Sequence, residues 1–214
     1  MFKKKVILIT GGTGSFGKAF MNNLFKNYKP KKVIVFSRDE LKQYEIQNNL
    51  INKGVSTKNI RFFLGDVRDR SRLNLAFQDV DYIVHAAALK QIPAAEYNPQ
   101  ECIKTNINGA ENVIFAALEQ GVKKVVALST DKACGPVNLY GATKLVSDKL
   151  FVAANMLVGQ NNDTKFSVVR YGNVIDSRGS VIPYFKDLIK QNKKSLPITD
   201  IKMTRFFISL NQGV

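Results

Sequence analysis

The chain has 214 residues, room for one domain and part of a second, and its 45% hydrophobic and 23% charged content is that of a globular protein and argues against disorder. Its formal charge is +15, from 24 lysines and 8 arginines against 17 acidic residues; a nucleic-acid reader would more often show arginine-rich or aromatic-interleaved patches, so a solvated lysine surface and phosphate-bearing ligands are expected instead. Two separated cysteines, Cys102 and Cys134, suggest neither a disulfide framework nor a metal site, and no apolar run is long enough to span a bilayer, so a cytoplasmic protein without membrane or nucleic-acid partners is expected.

Lysines often stand just before apolar runs, as Lys3 to Lys5, Lys31 with Lys32, and Lys123 with Lys124. The first such run, 5–10, reads as a buried strand, and a helix is predicted over 15–28. Between them, Gly11, Gly14 and Gly17 have the Gly-x-x-Gly-x-x-Gly spacing. Such glycines permit a tight turn, close approach of backbone to a pyrophosphate, and tight helix–strand packing. The helix N-terminus would then present N–H groups and a positive dipole end to the anion. A second frame, Gly12 to Lys18, fits the start of a nucleoside-triphosphate loop, but Ala19 stands where magnesium binding needs Ser or Thr.

A second strand is predicted over 32–37 and a helix over 39–52. At the strand's end, where an acidic residue would select NAD, stand Ser37 and Arg38; a hydroxyl and a guanidinium suit a 2′-phosphate and point to NADP. The plainer alternative is a surface Arg38 paired with Asp39. The third strand, 61–65, runs into Gly65-Asp66-Val67, where Asp66 is placed to accept from an adenine amino group. A helix over 71–78 and a strand over 81–85 follow. That strand ends in His85-Ala86-Ala87-Ala88, whose small side chains let a cofactor lie close, and His85 reads as a satisfied strand-end residue.

Next come a long helix over 99–120, a strand over 122–129, a helix over 140–157 and a strand over 166–171. The alternation predicts an α/β fold: a Rossmann-like, doubly wound, mostly parallel sheet with helices on both faces. It fills residues 1–171. Beyond them Gly172, Gly179, Pro183 and Pro197 break the pattern. A helix over 183–191 lacks a clear strand partner, and 205–214 reads as the start of another helix. Residues 172–214 are therefore expected to be an incomplete substrate-binding lobe, and the chain reads as cut off at its C-terminus.

Tyr140 and Lys144, four apart at the start of a helix, share one face. A phenol of pKa about 10 is a poor base at neutral pH. A nearby ammonium favours the phenolate, which would let Tyr140 take a proton from a sugar hydroxyl as hydride leaves. With the glycine turn upstream, the pair points to a dehydrogenase-like centre.

These motifs resemble those of the extended short-chain dehydrogenases/reductases. More narrowly, the stretches 10–17, 37–42, 65–69, 85–90, 96–106, 129–132, 138–149 and 168–180 are similar to the inverting UDP-N-acetylglucosamine 4,6-dehydratases of the polysaccharide biosynthesis group, used for pseudaminic acid and flagellin glycosylation. The resemblance implies a hydro-lyase, likewise with NADP, acting on a UDP-sugar and forming a homo-oligomer. It implies Tyr140 as base, Lys144 holding phenolate and ribose, Asp131 protonating the leaving C6 hydroxyl, and Lys132 taking the C5 proton. It adds Thr13, Ser15, Phe16, Val67, Ala86, Lys90, Asn173, Val174, Ser177 and Arg178 to the cofactor contacts, alongside Tyr140 and Lys144. Lys90, Tyr140, Asn173, Val181 and Thr199 match substrate-contacting positions. Two departures stand out: Asp176 where relatives show Gly, and Cys134-Gly135 between the catalytic acid and Tyr140. Another nucleotide-sugar epimerase or dehydratase, or a catalytically incomplete nucleotide-binding module, is the alternative.

Overall fold

The computed structural model describes residues 1–54, 56–159, 163–175 and 180–214. Its centre is a six-stranded sheet, all parallel, of β1 (Val6–Thr10), β2 (Lys32–Ser37), β3 (Ile60–Leu64), β4 (Tyr82–His85), β5 (Lys124–Thr130) and β6 (Lys165–Tyr171), in the order β3-β2-β1-β4-β5-β6. This is the doubly wound order, reversing between β1 and β4, where such sheets open a crevice at the carboxyl ends of their strands.

Alternating residues of each strand serve opposite faces. Ile7, Ile9, Val33, Val35 and Val84 pack with Phe20, Met21 and Leu24 of α1 (Ser15–Asn27) and with Ile46 and Leu50 of α2 (Glu40–Asn52). Leu8, Ile34, Phe36, Ile83 and Val125 pack on the other face with α3 (Arg70–Phe77), α6 (Gly109–Glu119) and α7 (Leu139–Ala153). Asp39, Asp69 and Asn138 cap α2, α3 and α7 by accepting from Lys42, Arg72 and Gly141 N–H groups. α1 instead starts at Gly14, which has no side chain to offer.

The predicted helix over 99–120 is not continuous. It is α5 (Pro99–Ile103), one wider turn of π type (Lys104–Asn108), and α6, preceded by an unforeseen α4 (Ile92–Tyr97). The wide turn directs Asn106 inward, where its side chain accepts from Leu89 N (2.8 Å) and donates to Leu89 O (2.9 Å) and Thr143 Oγ1 (3.0 Å). Gly109 fits beneath Val67, leaving no room for a Cβ. The C-terminal expectation also needs correction. Residues 205–214 form no helix; β8 (Phe207–Ile208) pairs in parallel with β7 (Asn173–Val174), just before α8 (Val181–Lys190). The apolar spacing of Phe206, Phe207 and Leu210 imitates a helix, but Phe206 and Ile208 carbonyls accept from Asn173 and Ile175 N–H groups.

Helix α7 is anchored by Phe151, fully buried, with its ring 5.5 Å from that of His85 and 6.3 Å from that of Phe166. Phe151→Ala is expected to cost about 3–5 kcal/mol. Urea denaturation measures this, and a loss below about 1 kcal/mol would show that α7 is held by other contacts.

Candidate functional site

A cleft of about 1200 Å³ opens along the carboxyl ends of the strands. Its first wall is the glycine turn. Gly11 has φ +64°, and a Cβ there would lie 2.8 Å from Ala87 N and 2.9 Å from Ala86 O. Gly17 rests directly on the Gly12 backbone. α1 thus begins at the cleft with no acidic residue in its first turn, an arrangement that favours an anion. Gly11, Thr13, Gly14, Ser15, Phe16 and Gly17 all line the cleft.

At the end of β2, the Ser37 hydroxyl is 2.9 Å from Thr13 Oγ1 and accepts from Asp39 N at 3.2 Å. Arg38 is half exposed, with Nη1 3.5 Å from Asp66 Oδ2. The Asp39 carboxylate, its alternative partner, caps α2 and meets Lys42. Asp66 is more engaged than the sequence suggested. It accepts from Arg68 N, Nε and Nη2 at 2.9, 3.0 and 2.7 Å. Burial raises its pKa, but these bonds and the neighbouring guanidinium charges outweigh burial and hold it below the usual carboxylate value. Val67, Ala86 and Lys90 continue the wall, and burial lowers the Lys90 pKa.

The far end holds the reacting groups. Tyr140 and Lys132 line the cleft, whereas Lys144 is 3% exposed and Asp131 stands behind Lys132. Lys144 Nζ donates to Leu128 O at 2.7 Å. Burial lowers its pKa to about 8, against the pull of Asp148. Tyr140 is shifted upward: burial dominates, the Thr130 hydroxyl works against it, and Asp131 and Asp148 add negative charge. The ammonium thus does not by itself produce a phenolate, and the phenol remains protonated. Lys132 Nζ donates to Asp131 Oδ1 at 3.2 Å and to Asn173 Oδ1 at 3.0 Å. Asp131 also accepts from Thr130 Oγ1 at 3.0 Å. Burial raises the Asp131 pKa, but the bonds from Lys132 and Thr130 prevail and leave it lowered.

Asn173, Val174, Val181 and Thr199 complete the outer wall, and Ser177, Arg178 and Asp176 lie outside the described residues. Three hydroxyls escaped the sequence reading: Thr130, which touches both Tyr140 and Asp131, and Ser129 and Thr105. The last two residues line the cleft, but their hydroxyl oxygens are buried and, among the described residues, have no hydrogen-bond partner. The polar side chains of Tyr140, Lys132 and Asn173 together with the glycine cradle fit a long polar ligand with an anionic centre.

A family model described as "Polysaccharide biosynthesis protein" matches residues 7–214. The chain belongs to that family. It is 64% identical, over its whole length, to the UDP-N-acetylglucosamine 4,6-dehydratase (inverting) of Campylobacter jejuni subsp. jejuni serotype O:23/36, and 50% identical to the UDP-glucose 4-epimerase of Rickettsia bellii strain OSU 85-389. In both cases it spans 62% of the relative's length. Among solved structures it superimposes on Pen from Bacillus thuringiensis with a TM-score of 0.93 at 46% identity, covering 99% of this chain and 65% of that one. The dTDP-glucose 4,6-dehydratase DesIV of Streptomyces venezuelae shares the fold, with a TM-score of 0.82 at 22% identity, over 97% of this chain and 69% of that one. Among the described residues of this family member, no helix is long and apolar enough to cross a membrane and no metal-holding cluster occurs.

The buried lysine has a stability signature. Its folded pKa of about 8 lies below the ordinary lysine value of 10.5, so between those values the unfolded chain binds more protons and stability rises with pH. Lys144→Met is expected to lose that rise. Comparing denaturation of both proteins at about pH 7 and pH 9.5 tests this: parallel pH dependences would mean that Lys144 is not depressed.

Proposed function

We propose that the protein carries out NADP-dependent 4,6-dehydration of UDP-N-acetylglucosamine in the cytoplasm, with inversion at C5. The product, a UDP-4-keto-6-deoxy-hexosamine, would feed pseudaminic acid and flagellin glycosylation or a surface polysaccharide. The observation that carries this reading is the Asp131–Lys132 contact beside Tyr140, a second acid–base couple that simple oxidation does not need. Residues 1–171 hold the cofactor, and 172–214 contribute to a substrate lobe.

The glycine turn and the start of α1 would hold the pyrophosphate, with Arg38 near the adenosine ribose. The nicotinamide, when bound, supplies a reversible hydride acceptor. Tyr140 takes the C4 hydroxyl proton, with Lys144 beneath it adding positive charge. The resulting C4 ketone acidifies the C5 proton, which Lys132 removes while Asp131 protonates the departing C6 oxygen as water. Return of the hydride to C6 and delivery of a proton to C5 from the opposite face would then saturate the C5–C6 bond, inverting C5 with no net oxidation.

That division of labour needs a neutral amine and a protonated acid, whereas Asp131 rests as a carboxylate. The two side chains touch, so one proton passing from Lys132 to Asp131 creates both required forms without changing net charge. Both side chains are about one third exposed. Substrate covering them removes water and favours the uncharged forms.

Solvent deuterium at C5 of a 4-keto-6-deoxy product, formed by this chain with NADP and UDP-N-acetylglucosamine, is the expected result. A second reading, 4-epimerisation, draws on the 50% identity to the Rickettsia epimerase and leaves Asp131 and Lys132 idle. A C4 epimer without C5 exchange would establish it instead. Binding without turnover would leave this chain a nucleotide-binding module.

Cofactor choice is tested separately. Arg38→Ala is expected to weaken NADP by about tenfold or more, from the loss of charge-assisted hydrogen bonds, and NAD by much less. Titration calorimetry with both nucleotides measures this, and equal losses would remove Arg38 from the choice.

A further inference from the structure

Because all six strands are parallel, their starts lie at one edge of the sheet and their ends, with the cleft, at the other. The start edge is lysine-rich. Lys5 precedes β1, Lys31 and Lys32 open β2, Lys123 and Lys124 open β5, and Lys165 opens β6. Lys4 N–H donates to Lys29 O, which brings the N-terminal lysines to the same edge.

The acids beside these strand starts are fewer. Asp81, before β4, is saturated by Lys5 Nζ (3.2 Å), Lys123 Nζ (2.8 Å) and Val6 N (3.0 Å). Asp79 lies in a recess with Lys31 and Lys32, and Asp163 precedes β6. Among the described residues Lys31, Lys32, Lys124 and Lys165 make no ion pair, and all four are exposed. Lys124 and Lys165 are register partners on adjacent strands. Their backbones are therefore about 4.8 Å apart, with both side chains on one face. Like charges so placed repel, and among the described residues no ion pair at these two lysines offsets the repulsion. An external anionic layer would.

The shape of the edge selects the kind of anion. The recess holding Lys31 and Lys32 is only about 150 Å³, too small to seat a strand of nucleic acid. The ring of Phe2, beside the N-terminal lysines, is packed edge-to-face against Phe20, Tyr28 and Tyr82, not offered to a base. The lysines of this edge are ammonium point charges; Arg61, which shares the recess, is laid over the Phe63 ring at 4.9 Å. A row of ammonium charges along a sheet edge matches laterally mobile headgroup phosphates better than a fixed polyanion.

We propose that the strand-start edge docks the protein peripherally on an anionic lipid surface, with the nucleotide cleft facing away into solvent. Docking holds the molecule by charge alone and needs no inserted helix. The cleft stays accessible at the opposite edge.

The test is co-sedimentation of the chain with vesicles of phosphatidylcholine alone or with about one quarter phosphatidylglycerol, at about 0.1 M salt. Preferential binding to the anionic vesicles is expected. Lys31→Gln, Lys32→Gln and Lys124→Gln together should weaken it about a hundredfold, at about fivefold per lysine. A control triple of Lys190→Gln, Lys193→Gln and Lys194→Gln, equal in charge but in and after α8, should change it less than about threefold. Circular dichroism melting confirms that each triple remains folded. Equal loss in both triples would mean that total charge acts rather than this edge, and no preference for anionic vesicles would also overturn the proposal. So would a single-stranded RNA that displaces the protein from the vesicles and loses affinity in the strand-start triple, since the edge would then serve a polyanion.

Discussion

Everything at the cleft depends on how closely three pieces of backbone approach one another. Gly17 in α1 lies on the backbone of Gly12, and Gly11 lies against the peptide joining Ala86 and Ala87. A Cβ at either position would push the first turn of α1 off the sheet or lift the end of β4. The positive φ of Gly11 adds a backbone cost for any other residue. Glycine is therefore required for packing before any ligand arrives. The same packing leaves the uncapped start of α1 at the mouth of the crevice.

The opposite end of the cleft is governed by burial of charge. Lys144 has one carbonyl partner and Asp148 in its vicinity, while Asp148 is itself held by Arg170 at 2.8 Å. Its ammonium is thus weakly compensated, which is why its pKa falls. Tyr140 responds to the same desolvation by holding its proton more tightly. Neither group is a strong base in the protein alone. A positive ligand above them would stabilise the phenolate and discourage the ammonium, so the two groups would respond in opposite senses to one event.

Much of this was legible in the sequence because the strands are short apolar runs, those at the centre buried on both faces, separated by helical spacing. Gly11, Gly14 and Gly17, with Tyr140 and Lys144, identified both ends of the cleft because their spacings have geometric consequences. Other features depend on partners distant in sequence. The break within 99–120 arises where Asn106 turns inward to hold Leu89, and the local signal of it, Asn108-Gly109, was outweighed by the helical apolar spacing around it. The short pairing of β7 with β8 joins segments more than thirty residues apart and overrides the helical look of 205–214. Thr130, Ser129 and Thr105 were missed because an isolated hydroxyl carries no pattern. A sequence reveals the proximity of Tyr140 to Lys144 but not the depth of burial that raises the Tyr140 pKa in the protein alone.

Sheet polarity connects these observations. In a parallel sheet every strand contributes its carboxyl end to one edge, and helix starts such as that of α1 gather there, giving a surface suited to phosphate. The opposite edge receives the helix ends and strand starts. Positive charge there complements the partial negative charge of the helix ends. That effect fades within a turn and does not require lysines on neighbouring strands to face one another, as Lys124 and Lys165 do. Helix dipoles can therefore explain why some lysines are tolerated at this edge but not why two of them are placed side by side. Among the described residues, Lys5 and Lys123 at this edge are compensated by Asp81, whereas Lys124 and Lys165 have no ion-pair partner.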